Sequence, residues 1–279
     1  MRIKIDDVSL FFDVEGPKLR PDGATMREVP TIVLLHGGPG FDHSNFKPEF
    51  SRLAEIAQVV YYDHRGNGRS DRGDRAKWNL PQWGDDVRAF CEALEIERPI
   101  VMGISFGGMV AMSYATRHPE HPAKLVLSST AARMRQDRSL AMFERLGGAE
   151  TREAARRFFE HPGPETMPDY VKKCFPMYNR NPLGPEFMQR SVMNPELTAD
   201  FFKHESHTFN FLPDLGRIKC PTLIAAGELD PITPLDDSKD IAAAMTPGLA
   251  RLEVFDSGHG AHRDQPDRFF KILNEFILA

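Results

Sequence analysis

The chain has 279 residues, enough for one large α/β domain or two small ones, and its 41% hydrophobic and 27% charged composition is typical of a globular protein. The formal net charge is −5 and no run of about five like charges occurs, so the composition does not favour nucleic acid or an anionic membrane surface as a partner. The sequence has no apolar signal core at the N-terminus, no run of about 18 apolar residues, and no cysteine spacing that suits disulfides or zinc, so we expect a cytoplasmic protein without a membrane span.

Apolar runs typical of strands alternate with helical patterns along the first 130 residues. Several of these runs are continuous, as expected for strands buried on both faces of a sheet. A helical pattern follows the second strand, another covers Pro81–Ile96, and a third runs from the fourth strand to about His118, just before a proline. The predicted strands are Ser9–Glu15, Thr31–His36, Gln58–Asp63, Pro99–Gly103 and Lys124–Ser128.

The alternation stops after this region and resumes near the C-terminus. Residues 131–215 are rich in Phe, Met and Pro and contain only short helical patterns, such as Thr151–Glu160 and Leu197–His204. Repeated strand–helix units predict an α/β fold with a doubly wound, mainly parallel sheet. We therefore expect a core of residues 1–130 and 216–279, with 131–215 inserted as a helical cap. The late elements are a strand at Pro221–Gly227, a helix near Leu235–Met245, a strand at Arg251–Phe255 and a helix at Asp264–Leu278.

The segment from Gly103 to Gly107 reads Gly-Ile-Ser-Phe-Gly and lies between a predicted strand and a predicted helix. This is the sequence form of a nucleophile elbow, a tight turn that holds a serine hydroxyl at the end of a strand. Glycines on either side allow the strand and helix to approach each other closely around a strained residue. The pattern therefore predicts Ser105 as a nucleophile.

A serine nucleophile needs a base, and the base needs an acid to orient it. In this architecture the chain order is Ser, then Asp or Glu, then His, with each group after a strand. Asp230 follows the strand that ends at Gly227 and is the favoured acid, with Glu228 as its rival. His259 follows the next strand and is the favoured base, with His262 as its rival.

Two backbone N–H groups are expected to stabilise the oxyanion. One is the amide of Phe106, directly after the serine. The other is expected from the His36–Gly40 loop, His-Gly-Gly-Pro-Gly, although such a sequence also suits a plain turn at the end of a strand.

The segment Asp63–Ser70 resembles a phosphate loop but lacks its Gly-Lys-Ser/Thr ending. We interpret it as a structural loop in which His64 orients its neighbours. No group of His, Cys and carboxylate residues has metal-ligand spacing, so neither a metal nor another cofactor is expected.

Taken together, the elbow, the early glycine loop and the late Asp and His resemble the α/β-hydrolase superfamily along essentially the whole chain. More narrowly, residues 36–40 and the Asp-x-Arg-Gly-x-Gly-x-Ser sequence at 63–70 resemble the proline iminopeptidase family of serine peptidases. The resemblance implies Gly38 as the second oxyanion donor. It also implies a cap whose glutamate binds the substrate ammonium, and the segment Glu205–Phe209 is similar to the family's segment at that place.

The leading hypothesis is a cofactor-independent serine hydrolase that cleaves a small ester, lactone or amide, including short peptides. Aromatic cap residues are candidates for its substrate pocket, although ordinary cap packing explains most of them equally well. Alternatives with the same triad are a carbon–carbon bond hydrolase or an acyltransferase, and a non-catalytic binder is a further one. The sequence leaves the oligomeric state open. The aromatic candidates are Phe143, Phe158, Phe159, Phe175 and Phe209.

Overall fold

The computed structural model describes residues 1–181 and 184–279, and its central feature is an eight-stranded sheet. The strand order is β1-β2-β6-β5-β7-β8-β9-β10. The pairs β1–β2 and β2–β6 are antiparallel. All other neighbours, from β6 to β10 in this order, are parallel. A short hairpin of β3 and β4 stands apart. The strands are β1 Arg2–Ile5, β2 Val8–Glu15, β3 Leu19–Asp22, β4 Thr25–Glu28, β5 Thr31–Leu35, β6 Gln58–Tyr62, β7 Ile100–Ile104, β8 Lys124–Ser128, β9 Thr222–Gly227 and β10 Ala250–Phe255.

The central strands are apolar because both of their faces are covered. All residues of β5 and β9 are buried, and alternate side chains of β5 enter opposite cores. Val33 and Leu35 pack into the core beside the helices Leu80–Ala93 and Phe106–Arg117, whereas Ile32 and Leu34 pack into the core beside the C-terminal helix Pro266–Leu278. This alternation follows from the two-residue period of a strand. The predicted doubly wound α/β fold is confirmed.

Helices cover both faces of the sheet and fill the insertion between β8 and β9. The predicted helix after β5 consists of two 3-10 segments, His43–Phe46 and Glu49–Glu55. Helix α1 is capped by the side chain of Asn79 and ends before the predicted Ile96. The α-helices are α1 Leu80–Ala93, α2 Phe106–Arg117, α3 Gln136–Glu160, α4 Met167–Cys174, α5 Pro185–Arg190, α6 Pro195–Lys203, α7 Leu235–Ala244, α8 Ala261–Asp264 and α9 Pro266–Leu278. Further 3-10 segments are Arg75–Lys77, Phe175–Met177, Glu205–His207 and Leu212–Arg217.

The insertion has a small core of its own. Helix α3 bends at Gly148, where φ is 79°, and its second half packs against α4 through Phe158, Tyr170 and neighbouring side chains. No strand occurs between residues 131 and 215 among the residues that the structure describes. The exact division into core and cap stays a prediction. Within residues 1–181 and 184–279, no helix is both long and apolar enough to cross a membrane.

The topology places a crevice at the carboxyl ends of the central strands. From β5 the chain continues to β6 on one side, whereas β7 pairs with the other side of β5. Loops that leave β5 and β7 therefore diverge at their carboxyl ends. Such a switch point is where ligands bind in open α/β sheets.

Candidate active site

Ser105 lies in a strained turn between β7 and α2. Its φ of 56° and ψ of −120° are unusual for a residue with a side chain. The Ser105 N–H donates to the carbonyl of Ser128 at 3.0 Å. A Cβ on Gly107 would lie 2.0 Å from the Leu35 carbonyl oxygen, and one on Gly103 would lie 2.1 Å from the Gly107 carbonyl oxygen. Only glycines therefore let the strand and helix approach this closely, and the turn leaves the serine side chain half-buried at the crevice.

Asp230 and His259 follow β9 and β10 and form a hydrogen-bonded pair. The His259 ring Nδ1 lies 2.8 Å from Asp230 Oδ2. The carboxylate also accepts the N–H groups of Ile232 and Thr233 at 2.9 and 3.0 Å and the Thr233 hydroxyl at 2.9 Å. Its side chain is completely buried, and 12% of the His259 side chain is exposed. The carboxylate is thus fixed by its own loop and orients the imidazole.

The rival residues have other environments. Glu228 is exposed and Asp230, not Glu228, contacts the histidine. His262 is 2% exposed, and its ring lies 5.2 Å from the ring of Phe50 and 5.8 Å from that of Phe269. Burial lowers the pKa of His262 well below its usual value, so its ring is neutral at physiological pH. These environments favour Asp230 and His259 as the acid and base, and their catalytic roles stay a prediction.

The His36–Gly40 loop lies beside the serine. A Cβ on Gly37 would be 3.5 Å from the Ser105 Cβ, and Gly38 has a φ of +129°. The end of the loop is held by Asn67, whose side-chain oxygen accepts the Gly40 N–H at 2.6 Å. Gly38 lines the same crevice as Ser105, which directly precedes the first turn of α2, where backbone N–H groups have no helical partner. This placement agrees with Gly38 and Phe106 as oxyanion donors, and that role stays a prediction.

The Asp63–Ser70 segment is a buried scaffold for that loop. Asp63 accepts the His43 N–H at 2.9 Å and the Arg69 N–H at 2.8 Å. The buried guanidinium of Arg65 makes two 2.8 Å bonds to Asp86. Because these charged groups are bonded to neighbouring parts of the protein, their arrangement agrees with a structural role. His64 packs 4.4 Å from the His36 ring, and burial lowers the pKa of both imidazoles.

A cavity of about 470 Å³ lies between the crevice and the insertion. Ser105 and His259 both line it. The Ser105 hydroxyl makes no hydrogen bond to the imidazole. In enzymes without bound substrate this distance is often long, and the hydrogen bond forms when substrate binds. Most of the lining is aromatic, Met or Pro. Arg263 is the one charged residue in the lining as described, and no carboxylate belongs to it. The aromatic and Met residues of the lining are Phe41, Phe46, Phe158, Met167, Tyr170, Phe175, Tyr178, Phe187, Met188, Met193 and Phe202.

The sequence gives six candidates for substrate contact, Glu205 and five phenylalanines, and two of them, Phe158 and Phe175, line this cavity. Phe143 and Phe159 are instead buried in the small core of the insertion. Phe209 packs 5.6 Å from the ring of Phe211 and borders a separate surface depression. The Glu205 carboxylate accepts the N–H of Leu80 at 3.0 Å. A carboxylate at a helix N-terminus compensates the unpaired N–H groups and the positive end of the dipole. We therefore do not assign Glu205, Phe143 or Phe209 to the substrate site.

Tyr178 contacts the histidine loop and was not predicted from the sequence. Its carbonyl accepts the His259 N–H at 2.5 Å, and its ring lies 5.5 Å from the imidazole at an interplanar angle of 73°. Nearby, Asp264 accepts the N–H of Gly258 at 2.9 Å and that of Asn181 at 3.0 Å. The insertion is therefore attached directly to the loop that carries His259. No sequence spacing signals this contact, because the two segments are about 80 residues apart.

A metal site is not apparent in the part of the chain that is described. Across residues 1–181 and 184–279, no three or more His, Cys, Asp or Glu side chains are grouped so that they could hold a metal ion.

Comparison with known proteins agrees with this architecture. Residues 30–266 match the family model described as alpha/beta hydrolase fold. The chain is 27% identical to the proline iminopeptidase PfmaB of Pestalotiopsis fici, over 96% of this chain and 98% of that protein. It is 26% identical to 3-oxoadipate enol-lactonase 1 of Acinetobacter baylyi, over 97% and 94% of the two chains.

Among solved structures, a proline iminopeptidase of Mycobacterium smegmatis is similar with a TM-score of 0.79 and 27% identity, covering 99% of this chain and 97% of that one. These similarities confirm that the chain is related to proline iminopeptidases. The relatives are named both as peptidases and as a lactonase. Together with the family match over most of the chain, these similarities show that the protein is a hydrolase that belongs to the α/β-hydrolase family.

Proposed function

We propose that the protein is a serine hydrolase that cleaves small esters or lactones through an acyl-enzyme on Ser105. The observation that carries the proposal is the cavity that Ser105 and His259 share, with Asp230 hydrogen-bonded behind the imidazole. A serine hydroxyl becomes nucleophilic when an oriented imidazole accepts its proton.

The reaction has two steps. Ser105 Oγ forms a bond to the substrate carbonyl carbon while His259 Nε2 takes the hydroxyl proton. The alkoxide then leaves with that proton, which produces the acyl-enzyme. In the second step His259 takes a proton from water, the water oxygen attacks the acyl carbon, and the proton returns to Ser105 as the acid is released.

The remaining groups stabilise charge during these steps. Asp230 holds the proton on His259 Nδ1 and stabilises the imidazolium, because its buried carboxylate is the hydrogen-bond acceptor there. The N–H groups of Gly38 and Phe106 are the donors to the oxyanion, and each such donor contributes roughly 10²- to 10³-fold in rate. Residues 131–215 act as the cap and supply the apolar roof of the cavity through residues such as Phe175 and Met188.

The charge of the cavity favours an ester or lactone over a peptide with a free amino end. An aminopeptidase of this kind needs a carboxylate to compensate the substrate ammonium in a partly dry site. None of the lining residues that the structure describes is acidic, and Glu205 is bonded to α1 instead. The amine-anchor hypothesis for Glu205 therefore has no geometric support.

Labelling with a fluorophosphonate tests the nucleophile. We expect the wild type to be labelled and to hydrolyse p-nitrophenyl esters, and Ser105→Ala to lose both properties. Ser191→Ala is the matched control, since this serine lies in the insertion and its hydroxyl donates to the Phe187 carbonyl at 2.8 Å. Undiminished ester hydrolysis by Ser105→Ala would refute the mechanism.

Prolyl and alanyl arylamides test the substrate class against esters of the same leaving-group type. We expect ester turnover to exceed arylamide turnover, and Glu205→Gln to leave the ratio of the two unchanged. A preference for arylamides that disappears in Glu205→Gln would instead establish an aminopeptidase.

A further inference from the structure

Arg263 is a cation in the cavity that forms no direct ion pair with a carboxylate of the described residues. It lies on α8, four residues after His259, and is partly buried. One guanidinium nitrogen donates to the Asn45 carbonyl at 3.1 Å, and the guanidinium lies 4.9 Å from the centre of the Phe187 ring. No carboxylate lies within ion-pair distance of it in residues 1–181 and 184–279. Four of its five N–H donors therefore have no protein partner there.

The nearest acidic neighbour in sequence is already used. Asp264 accepts three backbone N–H groups, those of Gly258, Arg180 and Asn181, at 2.9 to 3.1 Å. Burial lowers the pKa of Arg263 to about 10, so the group stays cationic at neutral pH at a cost in free energy. The Glu49 carboxylate also interacts with Arg263 and opposes this lowering of the pKa, but it lies beyond ion-pair distance. A buried cation without an ion pair gains free energy when a carboxylate from outside the chain pairs with it.

Two further polar side chains of the lining also lack hydrogen bonds. Asn179 is 8% exposed and its side-chain oxygen has no partner, and neither ring nitrogen of His262 has one. Asn179 and Arg263 lie close together, since a Cβ on Gly260 would be 2.5 Å from Asn179 Oδ1 and 3.5 Å from Arg263 Nη1. The rest of the lining is mainly apolar. The cavity thus has one polar, positively charged corner.

We propose that Arg263 binds a carboxylate of the substrate, so that the preferred substrates are anionic esters or lactones, such as monoesters of dicarboxylic acids. This inference rests on the proposed ester hydrolysis at Ser105 and specifies its substrate. A planar guanidinium matches a carboxylate with two parallel hydrogen bonds. A single cation balances one negative charge, which favours a carboxylate over a doubly charged phosphate. The corner adjoins the loop that carries His259 and opens to the same cavity.

The test compares matched esters that differ only in charge. The probes are p-nitrophenyl monoesters of glutaric, adipic and pimelic acid, each beside its neutral methyl ester. Three chain lengths are used so that one of them places the carboxylate at the charged corner while the carbonyl is at Ser105. We expect the wild type to prefer the anionic member of at least one pair in kcat/KM.

Arg263→Gln should lower kcat/KM for that anionic ester by about 10- to 100-fold, because a hydrogen bond to a charged group is lost. Turnover of the neutral ester should change by less than about threefold, which also shows that the variant is folded. Arg263→Lys should restore part of the preference, since the charge returns without the planar fork. Arg190→Gln is the control for general electrostatics, because Arg190 also lies near Phe187 but does not line the cavity.

A binding measurement separates this inference from the proposed function. Calorimetry with Ser105→Ala, which cannot form the acyl-enzyme, should show that the anionic ester binds at least about tenfold more tightly than its methyl ester. That difference should vanish in the Ser105→Ala/Arg263→Gln double variant. Equal binding of the two esters at every chain length, or equal loss of both in Arg263→Gln, would overturn the inference. Hydrolysis that persists in Ser105→Ala would overturn the mechanism and leave the binding result standing.

Discussion

Asp230→Asn isolates the role of the carboxylate behind His259 with almost no change in shape. The carboxylate accepts four hydrogen bonds, and the amide oxygen of an asparagine can still accept the two backbone N–H groups of Ile232 and Thr233. The amide NH₂ then faces His259 Nδ1, which must present its lone pair. The ring proton therefore moves to Nε2, which can no longer accept the proton of Ser105.

The expected loss follows from this change of tautomer. Removal of the equivalent function in a Ser-His-Asp triad lowers kcat by about 10⁴-fold, which corresponds to roughly 5.4 kcal/mol at 1.36 kcal/mol per decade. The effect on folding is smaller, about 1–3 kcal/mol for one altered charge-assisted bond at a buried carboxylate. Activity should thus fall much more than stability.

The assay is kcat/KM for a p-nitrophenyl ester, together with the rate of fluorophosphonate labelling and a urea unfolding curve. Glu228→Gln is the control, because Glu228 is the exposed acidic residue on the same loop and was the rival candidate from the sequence. It should leave all three measurements nearly unchanged. If Asp230→Asn retained activity within about tenfold, or Glu228→Gln lost as much as Asp230→Asn, the assignment of the acid would be wrong.

Three further changes test other parts of the structure. Gly107→Ala places a Cβ 2.0 Å from a backbone oxygen and should destabilise the fold by about 3 kcal/mol or more in urea unfolding, whereas Gly163→Ala, with no atom within 4 Å of its Cβ, should not. Asp264→Asn leaves one oxygen for three N–H donors and should lower the free energy of unfolding by about 1–3 kcal/mol. It should also lower kcat, because the loop that carries His259 is displaced. An unchanged kcat would contradict the positioning role of Asp264. Arg263→Gln should raise the free energy of unfolding at pH 7 by about 1 kcal/mol when no ligand is present. The reason is that folding disfavours this cation at every pH below its lowered pKa of about 10. A less stable variant would show that the contacts to Asn45 and Phe187 outweigh that cost.

The sequence by itself determined the sheet and the positions at its strand ends. A continuous apolar run such as Thr31–Leu35 is typical of a strand that helices cover on both faces. The local pattern was therefore enough to locate this strand. Glycines at 103 and 107 specify the turn that carries Ser105, and chain order indicates that Asp230 and His259 follow the next two strands. The hydrogen bond between these two residues agrees with that reasoning.

Only the tertiary structure decided which cap residues reach the cavity. In the insertion, the direction of a side chain depends on how short helices pack, and helical spacing does not record that packing. Glu205 resembles an amine anchor in sequence, yet its carboxylate caps α1, and Phe143 fills the insertion's own core. Arg263 is close in sequence to His259 and His262, the two candidates for the base. That it forms no ion pair with a carboxylate of the described residues becomes visible only when every neighbouring segment is in place. Strand ends are set by short-range patterns, whereas the charge of a cavity is set by residues brought together from distant parts of the chain.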